Sequence, residues 1–233
     1  MSNYLKGHFL RFINTDAIRG GIIMEIGSRD AMDAISCTKH FAPLKTFVFE
    51  PNPRGIQSCK ANIERFEMQS KVELIPKAVS ETDGMISFYP VIDSTHVDGS
   101  KTDNYGASSM YKASGMYGEE YVQECIEAES VTANTFLTQR SIQSVSLLLM
   151  DVQGAEVSVL KSFGESLRCV DYIITEGTIV NQYVGQAQLW QINDFLCANN
   201  FAMCAVDMQY WGLGDFLYIN KRLPIPLISD KAN

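Results

Sequence analysis

Short apolar runs alternate along this chain with amphipathic stretches of helical period. Gly21–Ile26, closed by Gly27, reads as a buried strand. Residues 30–41 follow as a helix with Asp30 as its cap. Thr46–Glu50 reads as a second strand, stopped by Pro51 and Pro53, and residues 54–67 as a second helix. Val72–Ile75 is a third strand, and Met85–Val91 a further one after the Asp83-Gly84 turn. Val145–Met150, the densest apolar run, is joined by strands at Val170–Thr175, Phe201–Val206 and Phe216–Ile219. Helices are expected at 155–163 and about 186–199, and an amphipathic leader helix at 3–18. Between residues 92 and 126 the rhythm breaks into glycine, serine and tyrosine, and an irregular insert or lid is expected there.

Strands alternating with helices specify a mostly parallel sheet covered on both faces. Ligands then bind beyond the carboxyl ends of the strands, where the topology reverses. Four strand ends carry an acidic residue: Glu25, Glu50, Asp151 and Glu176. One acid on a solvated rim means little, whereas four at the same end point to a shared site.

The first turn, Glu25-Ile26-Gly27-Ser28-Arg29-Asp30-Ala31, narrows the chemistry. A pyrophosphate-binding turn needs three glycines so that backbone can touch the phosphates. Here only Gly27 is present, with Arg29 and Met32 at the other two positions, which disfavours a dinucleotide and the oxidoreductase it would serve. One glycine beside a strand-terminal carboxylate suits a ligand carrying an ammonium and a small carboxylate, as S-adenosylmethionine does. Glu50, at the end of the second strand, stands where an acidic side chain can accept from both hydroxyls of a ribose. Asp151-Val152-Gln153-Gly154-Ala155-Glu156 follows the most apolar strand, and Gly154 and Ala155 permit close backbone approach. Asp151 is then expected in the cleft. Glu156 falls in a first helical turn, where the dipole alone explains a carboxylate as well as function does.

The series EIGSRDA, FEPNP, AVSETDGMISFY, GASSM, DVQGAEVSVLK and ITEG resembles the FkbM-type methyltransferase family, from about Ile22 to Glu176. The resemblance implies an α/β fold of the class I methyltransferase kind, a Rossmann-like three-layer sandwich. Its seven-stranded sheet would be mostly parallel with the last strand antiparallel. It implies S-adenosyl-L-methionine as cofactor and O-methyl transfer to a hydroxyl of a sugar, glycan or related natural product. By the same resemblance Glu25, Gly27, Ser28 and Arg29 form the cofactor turn, Glu50 holds the ribose, and Ala78 and Val79 edge the adenine. Ser108 and Ser109 would lie near the cofactor or acceptor mouth, and Asp151 would face the transfer centre.

The chain departs from the family pattern at three places. Ala31 replaces a glycine, Leu149 a lysine and Gln153 a glutamate. Ala31 needs a negative φ unless the turn is strained. The two lost charges are expected beside the cleft, where they bear on the acceptor. A non-catalytic cofactor-binding scaffold is the alternative these departures keep open. For a catalyst, Asp151 is the first candidate base and Glu176 the second, and a purely binding role for Asp151 stays open. His96 is a weaker candidate in the insert. Tyr105, Tyr111, Tyr117 and Tyr121 read either as a sugar-facing lid or as self-packed aromatics. Trp190 and Trp211 read as packing residues.

Composition excludes several classes. At 233 residues and 46% hydrophobic, the chain can bury the core of a single domain spanning 1–233. With 19 basic against 27 acidic residues, its net charge of −8 offers no basic stripe for nucleic acid or an anionic membrane. The six cysteines show neither CxxC pairs nor zinc-like spacing, and the acids show no compact metal motif. No metal is expected, and the thiols read as reduced. The first residues lack a secretory apolar core, and no run is long enough to span a bilayer. The expectation is a cytoplasmic enzyme acting on a small-molecule or glycan acceptor; whether it is a homo-oligomer is left open.

Overall fold

The computed structural model describes residues 3–5, 7–96, 98–115, 119–209 and 212–224. Two short helical turns, α1 (Gly7–Leu10) and α2 (Thr15–Ile18), precede two βα steps and a third strand. These are β1 (Ile22–Ile26), α3 (Met32–Phe41), β2 (Lys45–Phe49), α4 (Pro53–Arg65) and β3 (Val72–Ile75). A β-rich stretch follows: β4 (Ala78–Val79), β5 (Gly84–Phe88), β6 (Val91–His96), β7 (Lys101–Thr102), β8 (Glu119–Gln123) and β9 (Ile126–Val131). Alternation resumes with α5 (Ala133–Gln139), β10 (Val145–Met150), α6 (Glu156–Ser162), β11 (Val170–Thr178) and α7 (Leu189–Ala198). The chain closes on β12 (Phe201–Met208) and β13 (Leu213–Asn220).

Among the described residues, seven strands form the main sheet in the order β12-β13-β11-β10-β1-β2-β3. β1, β2, β3, β10 and β11 run parallel, and β13 is antiparallel to both of its neighbours. This is the expected α/β class, with the last strand reversed. The order reverses between β1 and β10, which makes their carboxyl ends the switch point.

Every residue of β10 is buried, as a central parallel strand covered on both faces requires. Met24, Phe49, Leu148 and Met150 pack on one side against Phe136, Val159 and Leu196 of α5, α6 and α7. Ile23, Leu147, Leu149 and Ile174 pack on the other against Cys37 and Phe41 of α3 and against Phe9, Phe12 and Ile18 of the leader. Leu149 therefore lies in the core, away from the cleft, and its departure from a lysine is a matter of packing. All six cysteines are free. Among the described residues no helix is long and apolar enough to cross a membrane.

Several expectations change. The leader is broken into short turns, because the Asn14 side chain accepts from the Asp16 N–H and restarts the helix at α2. α3 begins one residue after Ala31, which occupies the cap position at φ 62°; the Asp30 Oδ1 accepts from the Met32 N–H instead. The 92–126 segment is not irregular throughout. β6 pairs with β7 and β8, and β9 pairs with β4 and β5. β6 is a polar strand whose partners, rather than its period, decide its state. β9 does alternate, through Ile126, Ala128 and Ser130, but two of these three are small and the signal is faint. Trp190 is 55% exposed and is not a packing residue. Tyr117 and Trp211 lie outside the described residues.

The unpredicted α5 carries weight. The Phe136 ring meets Phe47 and Phe49 of β2 edge-on, at centroid separations of 5.1 and 4.8 Å. Phe136→Ala should destabilise the protein by about 3–5 kcal/mol. A lowered urea midpoint with unchanged slope would show it.

Candidate active site

The loops beyond β1, β2, β10 and β11 enclose a cavity of about 410 Å³. Glu25, Gly27, Ser28, Arg29, Glu50, Ala78, Val79, Asp151 and Glu176 all line it. Ser109 does not. Its hydroxyl is buried and donates to the Gln153 carbonyl at 2.7 Å, so it ties two loops together behind the wall. Its neighbour Ser108 is on the wall. Tyr105 and Tyr121 also line the cavity, whereas Tyr111 and the exposed His96 do not.

The first turn is folded against its own preference. Arg29 and Ala31 sit at φ 58° and 62°, the left-handed region that costs a non-glycine residue about 1–2 kcal/mol. A lattice of polar contacts holds them there. The Glu50 Oε2 accepts from the Arg29 N–H at 2.7 Å, and the Ser28 Oγ accepts from the Ala31 N–H at 2.9 Å. Ser28 in turn donates to Glu25 Oε2 at 2.8 Å, which also accepts from the Ala34 N–H at 3.1 Å. The Asn62 side chain donates to the Asp30 carbonyl at 2.9 Å. Ala31 is thus strained, as its substitution for glycine implies, and the strain is over-determined by its surroundings.

Two glycines set the close approaches. A Cβ on Gly27, at φ 80°, would fall 1.9 Å from the Asp151 carbonyl oxygen. A Cβ on Gly55 would fall 2.7 Å from the Glu50 Cδ, so α4 passes flush beside that carboxylate. The other Glu50 oxygen accepts from the Asn52 N–H at 2.7 Å. Both carboxylate oxygens thus hold backbone, and each keeps a further lone pair for the cavity.

Burial pushes the carboxyls of this wall up. Glu25 is raised well above its ordinary value by burial, with Asp33 adding to it. Glu50 is raised by burial to about 7, against the two backbone bonds that favour its ionised form. Asp151 and Glu176 keep some accessible surface because they face the cavity. Protein nevertheless surrounds both deeply enough that burial is the largest influence raising each, and Glu176 is raised further by Asp151. Such a wall favours a cationic ligand, which would restore the ionised forms.

Residues that the sequence did not single out complete the cavity. Tyr4 reaches it from the leader, Asp33 from α3, and Asp215 from β13. Asp215 did leave a signal, as one carboxylate within an otherwise apolar strand. Tyr4 left none, because only tertiary packing returns the leader to the sheet end. Glu156 is 3% exposed and off the wall; its Oε1 accepts from the Gly154 N–H at 3.1 Å. The bland reading of Glu156 as a helix-start carboxylate is therefore the one its contacts support.

The chain matches the Methyltransferase FkbM domain over residues 25–203. It belongs to the FkbM methyltransferase family. Among curated relatives, 2-O-methyltransferase NoeI of Sinorhizobium fredii is 28% identical over 179 residues, covering 75% of this chain and 70% of the relative. Among solved structures, methyltransferase FkbM from Methylobacillus flagellatus superposes with a TM-score of 0.53 at 8% identity, covering 90% of this chain and 49% of that one. TrmK of M. capricolum, in complex with S-adenosylhomocysteine, has a TM-score of 0.50 at 8% identity, covering 93% and 69%. These two likenesses concern the fold. The protein is an S-adenosylmethionine-dependent methyltransferase, and the scaffold alternative falls away with family membership.

Burial carries a pH signature in this methyltransferase. Glu156 is raised by burial from about 4.5 to about 7, as Glu50 is. Between those values the folded protein holds protons that the unfolded chain has released. Their contribution to stability is full below about pH 4.5 and is lost as pH rises through about 7. Glu156→Gln should make the fall in melting temperature across that window shallower.

Proposed function

We propose that this methyltransferase transfers its methyl group to a hydroxyl of a sugar, glycan or related natural product. The observation that carries the reading is the convergence of Glu25, Glu50, Asp151 and Glu176 on one cavity wall around the Gly27 turn. The name of the NoeI relative, a 2-O-methyltransferase, supports an oxygen acceptor. The wall fits the cofactor's chemistry: acidic for its cationic groups, with backbone brought close at Gly27 and small apolar side chains at Ala78 and Val79. When bound, S-adenosylmethionine supplies a methyl group on a sulfonium.

In this reading the Gly27–Arg29 turn, with Glu25 behind it, receives the methionine end. Glu50 accepts from the ribose hydroxyls with the lone pairs its backbone bonds leave over. Ala78 and Val79 flank the adenine. Asp151 takes the proton of the attacking hydroxyl, and its raised affinity for a proton suits it to that task near neutral pH. Glu176 is the second candidate for the same role. Ser109, with its hydroxyl committed to Gln153, acts by holding the loop rather than by touching the ligand.

Two substitutions test the assignment. Glu50→Ala, checked for cooperative unfolding, should lower affinity for S-adenosylhomocysteine about 10- to 100-fold by calorimetry, the value of hydrogen bonds to a charged group. Asp151→Asn preserves shape and the bond from Gln153 but cannot take a proton. Its saturated turnover on a glycan panel should fall by about 10²-fold or more with cofactor affinity little changed. Lost affinity with surviving turnover would make Asp151 a binding residue instead.

A further inference from the structure

Gln153 occupies a place that neither cofactor binding nor proton transfer accounts for. Its Nε2 donates one hydrogen to Asp151 Oδ1 at 2.6 Å and the other to Glu176 Oε2 at 3.0 Å. Its Oε1 lies 2.8 Å from the Tyr183 hydroxyl, which also lies 2.7 Å from the Ala107 carbonyl. One primary amide thus satisfies both carboxylates of the candidate pair and is itself oriented by a phenol anchored on the insert. An amide rotated by half a turn would set its oxygen against two carboxylates, and their repulsion opposes that rotation.

The backbone is arranged for this contact. Gln153 sits at φ 53° and Gly154 at φ 96°. A Cβ on Gly154 would fall 2.6 Å from the Gln186 Cβ, so the loop is pressed against the segment that carries Tyr183. Ser109 holds the Gln153 carbonyl from the third side. A left-handed non-glycine residue clamped by three segments is strain retained at a site.

From this geometry we infer that Gln153 is a positioning residue that keeps Asp151 ready to accept a proton by donating to it and to Glu176 together. This rests on the reading of Asp151 as the base. Asp151 and Glu176 are brought together on the one Gln153 amide, and the Asp151 charge raises the affinity of Glu176 for a proton. Donation from Gln153 favours the ionised form of Asp151. The other groups facing the pair are Tyr4 from the leader, Arg29 and Asp33 from the first turn and α3, Glu156 from α6, Tyr183, and Asp215 from β13. Glu50 faces Asp151 across the cavity. Among these, Arg29 alone is cationic, and its guanidinium already pairs with Asp30 at 3.0 Å. Without the amide, Asp151 would hold a proton to higher pH.

The test uses the full chain with carboxyl-¹³C aspartate and glutamate, titrated by NMR, with Asp151 identified by its loss in Asp151→Asn. Gln153→Met keeps the length of the side chain and removes both donors. The Asp151 titration should move up by about one pH unit, and the acid limb of the rate profile should move with it. Turnover on that limb then falls about tenfold and recovers at higher pH. Tyr183→Phe should move both in the same direction by less, and it serves where Gln153→Met does not fold. An unchanged titration in a folded variant overturns the inference, as does a rate lowered equally at every pH. Should Asp151→Asn retain full turnover while the titration still moves, the base assignment fails and the coupling through Gln153 stands.

Discussion

The contact between the Gly27 backbone and the Asp151 carbonyl governs this molecule. β1 and β10 are adjacent parallel strands, and their ends meet so closely that a single added carbon would fall 1.9 Å from that oxygen. Sheet twist alone would leave the two loops free to diverge. The absence of a side chain at 27 lets them touch, and Asp151 then stands beside the turn that carries Glu25, Ser28 and Arg29. Everything in the cavity is referred to that junction.

Around it the chain accumulates conformational cost. Arg29, Ala31 and Gln153 hold left-handed backbone without being glycine. Burial raises the proton affinity of several carboxyls. Neither feature stabilises the fold. Both are tolerated because the central sheet buries apolar side chains on its two faces and because each strained peptide is held by more than one hydrogen bond. Burial that disfavours carboxylate ionisation also makes a cationic ligand more welcome than water. Strain, burial and ligand charge are in this sense one arrangement.

The insert adds a second constraint. Ser108 and Tyr105 touch Asn52 and Ser58 of the β2–α4 region, while Ala107 and Ser109 meet Tyr183 and Gln153. One short segment therefore bridges the Glu50 side of the cavity and the Asp151 side.

The sequence by itself determined the alternation of strands and helices, the parallel sheet and the four acids at its carboxyl edge. Those features depend on local periodicity and on the rule that side chains at strand ends project past the sheet. The glycine turn and the motif series were legible for the same reason, being contiguous in the chain. Other features depended on contacts between distant segments. Ala31 in place of a glycine left open whether the turn relaxes or is strained, and only the contacts of Ser28, Glu25 and Glu50 decide for a positive φ. Gln153 reads as a lost charge, and only the approach of Glu176, 23 residues on, and Tyr183, 30 residues on, shows what its amide holds. Leu149 was expected at the cleft and packs in the core, because strand alternation turns it away from the cavity. Tyr4 and Asp215 reach the cavity from opposite ends of the chain. Sequence periodicity reports which face of an element is apolar; it carries no information on which distant polar atoms share a buried space, and that is what tertiary packing decided here.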